Sequence, residues 1–226
     1  MEIKYFVRTT GERKFNYDLE YETITDAINK PVKAFIEALY KISSSNAVLL
    51  EDDLILCDNF KEEIEKVIVQ YPNDIINFFT KPELYFTTHY TDRFDYNQCT
   101  YYPKGIAKVL ADGISKIYNP NAHKSWASLT NRVLQNMKIN HVVHRPALVQ
   151  HKDNVSILQN GVNLRRNTMW FKGYLDEIGC KSIEQAYRQP YYTKLAACLA
   201  RDREIWDIEA KQILEERRNN KNESQI

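Results

Sequence analysis

Cysteine is scarce in this chain and is never arranged in pairs. Cys57, Cys99, Cys180 and Cys198 are the only four, and no two of them form a CxxC. That argues against a zinc site or a disulfide framework and leaves reduced, buried thiols as the expectation. An excess of one charge is also missing: 31 Lys and Arg face 30 Asp and Glu, a net charge of +1. Such a balance has no general attraction for polyanions, so any nucleic-acid contact requires a local patch. No apolar run approaches the ~18 residues of a membrane span. The opening Met1-Glu2-Ile3-Lys4-Tyr5-Phe6-Val7-Arg8 lacks the long apolar core of a signal peptide. A cytoplasmic protein with no transmembrane segment is therefore expected. Internal repeats and low-complexity segments are lacking too.

What is present fits a globular α/β domain. With 226 residues, 43% of them hydrophobic and 27% charged, the chain can bury a sizeable core. Ile3 to Val7 alternates as a strand does, and a polar turn with Arg8, Thr9 and Arg13 follows it. Val32, Phe35, Ile36, Leu39 and Ile42 recur at helical spacing behind Pro31, a residue suited to the first helical turn. Ala47 to Leu50 reads as a buried strand. Asp58 is placed to cap a helix over 59–70, and Asp74 to Phe79 reads as the next strand. This β-α-β-α-β order predicts a mainly parallel sheet flanked by helices. Further on, a short strand is expected at 100–102, helices at about 103–116 and 125–137, and a strand at 142–145. The stretch from Ile183 to Arg218 reads as helical, ending in a frayed polar tail from about 219. Residues 1–160 are thus expected to form the core and 161–226 a mostly helical extension packed on it.

The segment Val48-Leu49-Leu50-Glu51-Asp52-Asp53-Leu54 is the most informative one. Buried strands in open α/β sheets present their carboxyl ends to a ligand crevice. Three successive carboxylates at such a place repel one another unless they project into water or a cation sits among them. Magnesium and manganese ions want oxygen ligands of this kind. Taken alone, the triplet is equally readable as a solvated turn. A second segment adds to it: Arg145-Pro146-Ala147-Leu148-Val149-Gln150-His151-Lys152.

Leu50-Glu51-Asp52-Asp53, followed about a hundred residues later by Pro146-x-Leu148-Val149-Gln150-His151, resembles metal-dependent glycosyltransferases of the GT-A fold. The likeness is to lipopolysaccharide-type and related phage and bacterial enzymes with an EDD motif, and it covers roughly residues 1–160. The resemblance implies a GT-A-like (Rossmann-like) core that moves a sugar from a nucleotide-sugar, UDP-linked by expectation, to a hydroxyl acceptor. It implies Asp53 and His151 as ligands of Mn2+ or Mg2+. Arg8, Thr9, Glu51, Asp52 and Lys152 would contact the nucleotide-sugar. The implied acceptor is a glycan or lipid-linked saccharide, or a hydroxylated DNA base. Asp92, Asp95 and Asp112 are carboxylates available as a general base. The family's acidic pair near 123–128 is replaced here by His123-Lys124-Ser125-Trp126-Ala127-Ser128, so no base is assigned and stereochemistry stays open. The aromatic loop from about Tyr85 to Tyr102, with Trp170 and Phe171, reads either as an acceptor platform or as core sealing. Two rival readings remain: a nucleotidyltransferase, and a non-catalytic binding module on a degenerate transferase fold.

Overall fold

The computed structural model describes residues 1–11, 15–26, 30–79, 87–94, 97–121, 125–152, 168, 170–188 and 190–223. Arg13, Tyr85, Asp95 and the His123-Lys124 pair lie outside them.

The described residues form nine strands and seven helices. In order they are β1 (Ile3–Thr9), β2 (Glu22–Thr25), α1 (Pro31–Ile42), β3 (Asn46–Glu51), β4 (Leu54–Leu56) and α2 (Phe60–Gln70). Then come β5 (Ile76–Asn77), β6 (His89–Thr91), β7 (Cys99–Tyr102), α3 (Ile106–Ile117), α4 (Trp126–Met137), β8 (His141–Val143) and β9 (Val149–His151). The chain closes with α5 (Lys172–Glu177), α6 (Ile183–Ala186) and α7 (Tyr191–Glu223). A seven-stranded sheet has the order β2-β1-β3-β7-β5-β8-β6, and β4 and β9 form a separate pair. No helix among the described residues is long and apolar enough to cross a membrane.

The α/β class holds, while the sheet is mixed rather than close to all-parallel. β1 runs parallel to β2 and β3, and β5 parallel to β8. β7 is antiparallel to both β3 and β5, and β6 is antiparallel to β8. β7 therefore splices two parallel groups into one sheet, with β1, β3, β5 and β8 ending on the same edge.

Side chains alternate across this sheet, as the period of two requires. Tyr5, Val7, Val48, Leu50 and Tyr101 join a cluster with α2, β9 and the C-terminal helices. Phe6, Ala47, Leu49 and Tyr102 join the opposite cluster with α1, α3 and α4. Gly113 lets α3 and α4 approach closely, since a Cβ there would lie 2.6 Å from a methyl of Val133. The four cysteines are buried and free, and burial pushes the Cys57 thiol up to about 12.

Several local readings are corrected. Asp58 does not cap α2; Asn59 occupies that position in the left-handed region, with φ 52°, and makes no side-chain cap. The helix expected from Ile183 to Arg218 is two helices. α6 ends at Ala186 and α7 restarts at Tyr191, just after Pro190, then continues to Glu223, past the expected fraying point. β2, β4 and β6 were not anticipated, being three or four residues long and partly exposed.

Candidate metal centre at the carboxyl edge of the sheet

β3 is buried through Leu50 and leaves the sheet at Glu51, so the acidic triplet falls on the turn into β4. β4 pairs antiparallel with β9, which sets Leu54 opposite His151. The ladder continues one step further, with the Lys152 N–H donating to the Asp53 carbonyl at 2.8 Å. This pairing brings residues a hundred positions apart together. His151 Nε2 lies 3.4 Å from Asp53 Oδ2, and both side chains are about nine-tenths buried. With Glu51 added, one donor atom from each of Glu51, Asp53 and His151 lies within 4.8 Å of the others.

Two carboxylates and an imidazole make a donor set of hard oxygens and one borderline nitrogen. Mn2+ accepts such a mixture, whereas Mg2+ and Ca2+ favour oxygen throughout. Like charges held this close in a mostly dry site are also best balanced by a cation. The residues fit a divalent ion of the manganese type.

The third acid faces elsewhere. Asp52 is buried, and its Oδ2 accepts from the Thr9 hydroxyl at 2.5 Å. Thr9 in turn accepts from the N–H of Gly11, whose φ of 80° shapes the turn after β1. Thr9 and Asp52 thus tie the end of β1 to the acidic turn. Lys152 adjoins the site through its backbone and is half-buried.

Arg8 points to the opposite face. Its guanidinium forks onto Asp26, with Nη2 2.5 Å and Nε 3.3 Å from the two carboxylate oxygens. It also lies over the adjoining rings of Phe35 and Trp126, at 5.1 and 5.2 Å. Arg8 therefore stands one position along β1 from Thr9 and opposite Glu51 in the β1–β3 ladder, with its guanidinium engaged by Asp26. Of the base candidates, Asp112 lies on the outer side of α3, where hydrogen bonds from Lys108 and Tyr40 hold its carboxyl below the usual range. Asp92 is exposed just after β6.

Most described members of the aromatic loop seal the core. Phe94, Tyr101 and Tyr102 are buried, as are Trp170 and Phe171. Tyr90 is exposed and donates to Asp74.

Two further residues shape the site: Gln150, which belongs to the second motif, and Tyr17, which belongs to neither. Gln150, fully buried, bonds both the N–H and the carbonyl of Thr168, at 2.9 and 2.7 Å. It fastens β9 to the segment leading into α5 and so steadies its neighbour His151. Tyr17, from the β1–β2 connection, donates to the Glu51 carbonyl at 2.7 Å and accepts from the Leu54 N–H at 3.1 Å. Burial, with Asp53 and Asp52 nearby, raises its hydroxyl far above the usual tyrosine range, so it stays protonated. Neither role has a sequence signal, because each depends on contacts between distant segments.

No protein-family profile matches the chain, and no curated protein matches it.

Proposed function

We propose that the protein is a metal-dependent glycosyltransferase that takes its sugar from a nucleoside-diphosphate donor, UDP-linked by expectation. The observation that carries this reading is the convergence of Glu51, Asp53 and His151 at the carboxyl edge of a mixed sheet, where α/β proteins bind ligands. The GT-A resemblance rests on the EDD and Pro-x-Leu-Val-Gln-His motifs; β4, which follows the first directly, pairs with β9, which ends the second.

Glu51, Asp53 and His151 would hold Mn2+. When bound, that ion supplies charge neutralisation for a diphosphate leaving group. Asp52, fixed by Thr9, would orient the donor's ribose or sugar hydroxyls, and Lys152 would offer a cation to the diphosphate. The buried walls around Asp53 and His151 exclude water, which strengthens each of these contacts. The acceptor is a glycan, a lipid-linked saccharide or a hydroxylated DNA base; the near-neutral charge favours the saccharides.

A thermal-shift panel of nucleoside diphosphates with and without Mn2+ tests the reading. Stabilisation by a diphosphate that requires Mn2+ is expected, and Asp53→Ala should abolish it. No response from any diphosphate would overturn the donor assignment, and an unchanged response in Asp53→Ala would remove the triplet from the site.

A further inference from the structure

We infer that Tyr17 is the positioning residue of the candidate metal centre: its one hydroxyl anchors both ends of the acidic turn and so sets the directions in which Glu51 and Asp53 present their carboxylates. The inference rests on the metal-centre reading above and adds a residue that lies outside both motifs.

The geometry is specific. In a four-residue turn the first carbonyl and the fourth N–H face each other, and here those groups belong to Glu51 and Leu54. Both are bonded to the Tyr17 oxygen, the carbonyl as acceptor at 2.7 Å and the N–H as donor at 3.1 Å. The hydroxyl thus spans the two residues that bracket Asp52 and Asp53. Its own place is fixed by a ring cluster. Phe15 lies 5.5 Å from Tyr17, Tyr21 lies 6.1 Å from it, and Phe15 and Tyr21 are 5.8 Å apart. Thr9 makes a second attachment at Asp52, so the side chain of the middle acid is tied to the end of β1 and the backbone of the turn to the β1–β2 connection. Asp53 is left to face His151 and Glu51.

A turn whose ends can still bond each other does not need Tyr17 in order to fold, but it needs Tyr17 to keep one orientation. Groups behind metal ligands commonly tune affinity in this way. Tyr17→Phe deletes one atom and leaves the ring cluster in place. The test titrates Mn2+ alone, reading the free ion by electron paramagnetic resonance, in the unmodified protein, Tyr17→Phe, Asp53→Asn and Tyr5→Phe. Tyr5→Phe is a control that loses a hydroxyl bonded to Glu65, away from the turn.

Tyr17→Phe is expected to weaken Mn2+ binding about tenfold or more while keeping its far-ultraviolet circular dichroism. Asp53→Asn should lose binding, and Tyr17→Phe added to Asp53→Asn should change nothing further. Tyr5→Phe should bind as the unmodified protein does. Equal affinity in Tyr17→Phe and the unmodified protein would overturn the inference and leave the metal-centre reading standing. Equal weakening in Tyr17→Phe and Tyr5→Phe would reduce Tyr17 to a general contributor to stability. An unmodified protein that binds no Mn2+ would overturn both.

Discussion

Arg8 and Thr9 are neighbours on β1, yet they serve opposite kinds of buried charge at the same sheet edge. On the α1 and α4 face, Arg8 meets its own counter-ion in Asp26 and is enclosed by Phe35 and Trp126. There the guanidinium has a counter-ion within the chain. On the other, Thr9 secures Asp52 beside a cluster in which two carboxylates meet one imidazole. A guanidinium in contact with its carboxylate serves the fold, whereas carboxylates and an imidazole gathered within ligand distance of one another suit a divalent cation.

The comparison is broken most directly by removing Arg8. Arg8→Met leaves Asp26, whose side chain is 13% exposed, without its cation, and should cost about 3 kcal/mol in a urea denaturation series. A loss below about 1 kcal/mol would show the pair to be dispensable. Asp53→Asn should behave oppositely. It removes one of the crowded carboxylates, so the metal-free melting temperature should hold or rise. A fall as large as that of Arg8→Met would mark the acidic cluster as a structural ion network.

Acid should sharpen the contrast further. Burial lowers both His141 and His144 from 6.5 to about 4. His141 packs against Phe94 at 4.8 Å on the Arg8 side of the sheet, near His89 and Asp92, and His144 lies near Glu63 and Arg145. Between pH 6.5 and 4 the unfolded chain takes up protons that the folded chain refuses. The stability these groups confer is thus complete above 6.5 and is lost as pH falls towards 4. Melting curves across that window should decline, and His141→Phe should flatten the slope. An unchanged slope would assign the decline to other groups. The smallest effect is expected at Ser125, whose hydroxyl caps α4 by accepting from Ser128 at 3.4 Å, one residue before Trp126. Ser125→Ala should cost about 1 kcal/mol by thermal denaturation. A matching change in Trp126 fluorescence would tie the cap to the lid over Arg8; an unchanged spectrum would separate them.

The strongly periodic helices and the short buried strands β7 and β8 were legible from sequence, whereas the partly exposed β2, β4 and β6 were not. α1 begins and ends where Pro31 and the apolar spacing place it, and α4 starts after Ser125 as expected. The antiparallel insertion of β7 has no local signature, because a buried strand such as Cys99–Tyr102 reads alike in either direction. At the site, the motifs brought Asp53 and His151 to notice, and the structure adds the β4–β9 pairing that joins them. Arg8 stood at the expected strand end, and the structure adds its pairing with Asp26. Tyr17 was invisible because an aromatic in a loop acquires meaning only from what its hydroxyl meets.

The splice made by β7 also bears on how the chain is born. β3 finishes at Glu51, but the strand that covers its far side is not synthesised until Tyr102. For some fifty residues of translation, the Ala47–Leu50 edge has no covering strand in the emerging sheet, and bare edges recruit other chains. Slow passage through residues 52–98 would therefore endanger the nascent protein more than slow passage anywhere after 102.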